Sequence, residues 1–222
     1  MSGGIHTAKN GKNRALRGIA ALAAGTFFWS LLSFQATCAG IRREVLRLHV
    51  IANSDSDEDQ SAKLAVRDAI LTEGADIFDG SVTANDAEAR LAPQLDRLAE
   101  TARQTLASRG LDYPVEVTVG VEYFNTRSYE DVTLPAGRYH AVRVILGAGE
   151  GRNWWCVMFP PLCLPAASPR GTDSPLDAVF TGQQVKLVKS NPQYEVRFKI
   201  VELWESFWEH LRQKTATDPG VS

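Results

Sequence analysis

Three groups of residues have the types and spacing that invite a chemical reading. Cys156, flanked by Trp154 and Trp155, would make a cysteine hydrolase acting on cell wall if His140 or His49 and a carboxylate stood beside it. A nucleophilic thiol normally sits at an exposed turn or helix start that lowers its pKa, however, and Cys156 falls in mid-strand. In a hairpin centred on Gly149-Glu150, Cys156 lies opposite Arg143, which leaves His140 too far along the strand for a direct hydrogen bond. The second group is Asn53, Asp55, Asp57 and Asp59, whose alternation imitates a calcium loop. Glu58 stands where that loop needs glycine and Leu64 where it needs the bidentate glutamate, so a turn and helix cap explain the acids better. The third group is Gly147, Gly149 and Gly151. No Lys-Ser/Thr follows it and a strand comes next, where a phosphate loop requires a helix N-terminus. Neither a metal nor a cofactor is expected.

The elements that carry these residues follow from periodicity. Val45, Leu48, Val50, Ile51 and Ala52 form a short apolar strand ended by the turn-forming Asn53-Ser54-Asp55. Ser56 and Asp59 then resemble a capping box, and Asp57, Glu58 and Asp59 sit where the helix dipole favours acids. That helix is expected to end near Glu73-Gly74. Leu91, Leu95, Leu98, Ala102 and Leu106 mark a second amphipathic helix, stopped at Gly110 and either divided or begun at Pro93. Val115 to Tyr123 alternates strictly, as a half-buried strand does; Thr133 to Gly137 reads as a turn and Arg138 to Leu146 as the next strand. Asn153 to Phe159 is apolar on both faces, which predicts a central or covered strand. Trp154 and Trp155 point to opposite sides of it. Leu164 to Pro192 is weakly patterned. Tyr194 to Lys199 alternates again, and Ile200, Leu203, Trp204, Phe207, Trp208 and Leu211 have helical spacing. The fold class is therefore α+β: a single domain with a mainly antiparallel sheet covered by helices, in the order β-α-α-β-β-β-α.

The N-terminus is of another kind. Lys9, Lys12, Arg14 and Arg17 precede the uncharged, largely apolar run Gly18–Phe34, and no acid appears before Glu44. This is the arrangement of an export signal, cleaved after Ala39, or of an uncleaved anchor with its positive end inside. Residues 1–39 are thus the leader or anchor, 40–214 the domain and 215–222 a polar tail. Without the leader the chain carries 20 basic and 26 acidic groups, a formal charge of −6. That balance disfavours nucleic acid or anionic lipid as partner. In an exported chain Cys156 and Cys163 form either a disulfide closing a short loop across Pro160-Pro161 or a pair of buried thiols.

Two long blocks carry a family resemblance. Leu48 to Gln60, with Lys63 and Val66-Arg67-Asp68, resembles the opening block of stage II sporulation protein R. Gly149 to Cys163 resembles its second block; Pro135 to Tyr139 and Glu195 to Glu202 are similar to shorter ones. The resemblance implies a non-enzymatic signalling protein made in the forespore and exported to the space between forespore and mother-cell membranes. Its implied partner is a membrane-embedded, aspartic-type protease of the mother cell, stage II sporulation protein GA, which cleaves the sigma-E precursor. The candidate contacts are Asn53, Ser54, Asp55, Gln60, Lys63, Arg67 and one exposed tryptophan of the pair Trp154 and Trp155. For Arg67 the alternative is an internal ion pair with Asp68.

Overall fold

The apolar residues Leu46, Leu48 and Val50 alternate with Arg47, His49 and Ile51, so one strand presents two chemically different faces. A computed structural model describes residues 5–78, 81, 83–129, 132–162, 176, 179–189, 199, 201–210 and 212, with side chains from residue 17 onward. The chain divides into two units, Met1–Ala39 and Gly40–Ser222. The first is nearly all helix, the larger part of α1 (Ile5–Arg43). The 27 residues Arg17–Arg43 of α1 are long and apolar enough to cross a membrane, as an anchor or signal segment is.

In the second unit β1 (Leu46–Ile51) is followed by α2 (Asp57–Ile77), α3 (Ala84–Leu91) and α4 (Leu95–Ala107). The strands β2 (Val115–Phe124), β3 (Arg127–Tyr129), β4 (Val132–Leu134), β5 (Gly137–Leu146) and β6 (Asn153–Phe159) come next. Helix α5 (Gly182–Val188) lies inside the weakly patterned stretch, and residues 201–210 form α6. The main sheet has the order β2-β5-β1-β6. Leu46, Leu48 and Val50 of β1, Val142, Val144 and Leu146 of β5, and Cys156 and Met158 of β6 meet Val66, Ile70, Leu98, Ala102 and Leu106 of the helices in one core. Burial of this face is what drives helices onto the sheet. The α+β class and the sequence of main elements agree with the periodicity. Pro93 divides the second helical stretch: a 3-10 turn at Ala92–Gln94 separates α3 from α4.

Several local expectations are corrected. Gly147–Gly151 is not a hairpin connection, because β5 and β6 are not neighbours. β1 lies between them, parallel to β5 and antiparallel to β6. Strand β6 is accordingly an edge, with Asn153 and Trp154 exposed and Cys156–Phe159 buried. Thr133 and Leu134 belong to β4, which pairs with β3 as a small second sheet. Helix α2 runs past Gly74 to Ile77. A Cβ on Gly74 would stand 2.8 Å from Met158 Cε, so this glycine serves close helix–strand packing instead of termination. Tyr194–Phe198, Ile200, Leu211 and residues 215–222 lie outside the described residues; Lys199 is helical.

Candidate functional site

The polar turn after β1 is held by its own side chains. Ser56 caps α2 by accepting the Asp59 N–H at 3.2 Å. The Asp59 carboxylate does not complete a capping box; its Oδ2 accepts from Ser54 Oγ at 2.6 Å and Asn53 Nδ2 at 2.9 Å. Burial, at 4 % exposure, would push this carboxyl up. Donation from Ser54 and Asn53 outweighs it and holds Asp59 below the ordinary carboxylate range.

The glycine-rich segment crosses the end of β1 and is fastened to this turn. Gly151 N–H donates to Ala52 O at 2.9 Å, and Glu150 N–H to Asn53 O at 3.2 Å. Asn53 Oδ1 accepts the Ala148 N–H at 2.9 Å, and Asp55 Oδ1 the Arg152 N–H at 2.7 Å. Gly147 adopts φ +59°, and a Cβ there would fall 2.2 Å from Asn53 Oδ1. From α2, Gln60 Nε2 donates to Ser54 O at 2.8 Å. Lys63, 4 % exposed, donates to Gln60 Oε1 at 2.6 Å and to Arg152 O at 2.9 Å. Burial and the neighbouring Arg152 both push the Lys63 ammonium down. The two sequence blocks thus interlock at one end of the sheet. What they leave outward is Asp55, Ser56, Asp57, Glu58, Ala148, Glu150 and Arg152.

The tryptophans part company across β6. Trp154, 37 % exposed, lies on the helix side, where the Arg67 guanidinium covers its ring at 4.5 Å. Arg67 also holds Asp68, with Nε at 2.8 Å and Nη2 at 2.7 Å from the same oxygen, which is the internal pair weighed from sequence. Trp155 lies on the other side of the sheet, half-buried and stacked on His49 with ring centres 3.7 Å apart.

A polar cluster that the sequence did not advertise occupies this second face. His49 Nδ1 lies 2.8 Å from Glu122 Oε2, and its Nε2 lies 2.8 Å from Asn153 Oδ1. Arg143 approaches the other oxygen of Glu122 at 3.4 Å. Deeper in, Arg47 is fully buried with no carboxylate among the described residues. Its Nε donates to Cys156 O at 3.0 Å and its Nη2 to Tyr129 Oη at 2.6 Å, while Nη1 has no hydrogen-bond partner among the described residues. The rings of Phe124, Tyr139 and Tyr129 surround the guanidinium at 4.3, 5.0 and 5.5 Å. Burial pushes its pKa down, although an arginine stays charged in such a site. The available signal was the alternation itself: Arg47 and His49 are polar at every second position of an apolar strand.

These positions dismantle the cysteine–histidine constellation. Cys156 is opposite Leu48 and shares its core face, whereas His49 faces the other way through the sheet. His140 Nδ1 is taken by Glu88 Oε2 of α3 at 2.7 Å. Cys156 is fully buried and disulfide-bonded, so it offers no thiolate; Cys163 lies outside the described residues. Among the described residues no group of three or more His, Cys, Asp or Glu side chains is arranged to hold a metal.

Comparison with known proteins gives a family. The model of the family described as Stage II sporulation protein R matches residues 42–168, more than half of the chain. Stage II sporulation protein R of Bacillus subtilis is 36 % identical over 120 residues, covering 54 % of this chain and 54 % of that protein. The match therefore spans about half the length of the curated relative. No solved structure matches significantly. The matched segment contains β1, α2, the interlocked turn and crossover, and β6, and the chain belongs to the stage II sporulation protein R family, with a role in sporulation.

Proposed function

We propose that the protein is an exported signal of endospore formation. It leaves the forespore by its N-terminal apolar helix and acts in the space between the two membranes. There it switches on the mother-cell membrane protease, stage II sporulation protein GA, and so causes cleavage of the sigma-E precursor. The observation that carries the reading is the meeting of both family blocks at one end of the sheet. Their glycine, amide and lysine residues fasten the turn to the crossover, while Asp55, Asp57, Glu58, Glu150 and Arg152 face outward. A protein that signals by contact needs a rigid, pre-shaped surface, because ordering a loose one on binding costs affinity. It activates its receptor only if it binds the active state better than the inactive one.

The contact set sharpens accordingly. Lys63 is buried and Asn53, Ser54 and Gln60 are spent on internal bonds, so their part is to hold the surface in shape. Asp55, Glu58, Glu150, Arg152 and Trp154 are the outward residues that would meet a partner. Alanine at Asn53 or Gln60 would unfasten the crossover and confuse contact with folding. Glu58→Lys and Glu150→Lys avoid this. Each is expected to leave a folded, exported protein and to lower sigma-E precursor cleavage by roughly tenfold or more, as charge reversal at an interface does. Unchanged cleavage in both variants would remove this surface from the contact.

A further inference from the structure

Helix α6 is built inside out. At one hundred degrees per residue, Val201, Glu202, Glu205 and Glu209 form one arc, and Leu203, Trp204, Phe207 and Trp208 the opposite one. The acidic arc faces the protein. Glu205 pairs with Arg42 at 3.4 Å and Glu209 with Arg138 at 2.8 Å, and Val201 is 2 % exposed. Tyr123 and Ser206 hydroxyls meet at 3.1 Å beside them. The aromatic arc faces out: Leu203 is 73 %, Trp204 54 %, Phe207 57 % and Trp208 42 % exposed. Trp208 makes edge contacts with both Trp204 and Phe207, so the three rings form one continuous patch. An ordinary surface helix has the reverse arrangement. A contiguous apolar patch on an exported domain needs an occupant.

We propose that this patch lies in the lipid–water interface of a membrane. Two observations favour lipid over a protein groove. Arg42, which anchors α6 through Glu205, belongs to the last turn of the segment Arg17–Arg43 that is long and apolar enough to cross a bilayer. With the apolar run Gly18–Phe34 embedded, Arg42 stands eight residues further along the same helix, about 12 Å beyond the hydrocarbon, so α6 is fastened close to the membrane surface. Its outward residues are also the types that prefer this zone, tryptophan foremost, because its ring is apolar and its N–H still reaches water and headgroups. Lys199 and Arg212, 74 % and 59 % exposed, flank the helix and would reach phosphates there.

The inference rests on membrane insertion of the N-terminal helix, and its test is independent of protease activation. The full chain is reconstituted into phosphatidylcholine vesicles containing brominated phosphatidylcholine, beside Trp204→Phe/Trp208→Phe. Subtracting the variant's emission isolates the two reporters from Trp29, Trp154 and Trp155. The isolated emission is expected to be blue-shifted, shielded from aqueous acrylamide, and quenched more by bromines near the headgroup than near the chain ends. Acrylamide quenching with no bromolipid effect would place α6 in water and overturn the proposal. Shielding from both quenchers would mean that protein covers the patch, and would overturn it equally. The single variants Trp204→Phe and Trp208→Phe keep the subtraction readable if the double variant misfolds.

Discussion

Asp59 is the residue on which the polar turn closes. Its carboxylate collects Ser54 and Asn53 from the strand end while its own N–H is capped by Ser56, so one side chain joins β1 to the first turn of α2. Because the folded carboxyl titrates below its unfolded value, ionised Asp59 stabilises the fold at neutral pH. That contribution is present above the ordinary carboxylate pKa of 3.8 and disappears as the pH falls through the lower folded value. Asp59→Asn is therefore expected to be less stable than the parent at pH 7, by about 1–3 kcal/mol. The gap should narrow on acidification below the ordinary carboxylate range, measured as urea midpoints from neutral pH down to about pH 3. A constant gap would mean that Asp59 acts by shape and not by charge. Arg47 is the opposite case, a buried cation held by rings and a carbonyl in place of an acid. Such a site costs desolvation, and π faces with two hydrogen bonds offset part of it.

At the scale of elements the crossover between β5 and β6 matters most. It must bridge a whole strand, since β1 lies between its ends, and it does so by pressing backbone against backbone. A Cβ on Gly151 would sit 2.2 Å from the Ser54 carbonyl oxygen, and backbone cannot move aside as a flexible side chain can. Gly151→Ala should cost more than about 2 kcal/mol by the overpacking and lost bonds it causes. Gly120→Ala, at an exposed position of β2 with nothing within 4 Å of the added carbon, is expected to be neutral or slightly stabilising. Denaturant melts of the two variants check this. Equal effects would argue that the crossover is not fastened to the turn.

For the whole molecule, the strand order makes β1 an interior strand although it opens the sheet. Both of its edges are bonded, to β5 and to β6, and its apolar face is covered by helices. Amides of Leu48–Val50 are therefore expected among the slowest to exchange with deuterium, opening only with global unfolding, while β6 and β2 exchange faster along the edges that no described strand pairs with. A hairpin of β5 with β6 would instead leave β1 peripheral and quick to exchange. The same order explains why the domain has two unlike sides. The helix-covered side is apolar and carries Cys156; the other carries the His49–Glu122–Asn153 cluster and the caged Arg47.

Local pattern was enough to read most elements of this chain. Strict alternation marked β2 and β5, threefold and fourfold spacing marked α4, and Ser56 with its acids marked the start of α2. Those signals are short-range, and neighbours in sequence decide them. The Arg67–Asp68 pair was legible for the same reason. Which strands lie side by side was not, because periodicity says which face of a strand is apolar and nothing about who pairs with it. The insertion of β1 between β5 and β6 therefore turned a supposed hairpin into a crossover, and it gave Asn53, Asp55 and Lys63 hydrogen-bond partners in that crossover. The outward aromatic arc of α6 was hidden likewise. Helical spacing reveals that a helix has two faces, and only the placement of Arg42 and Arg138 decided that its acids turn inward.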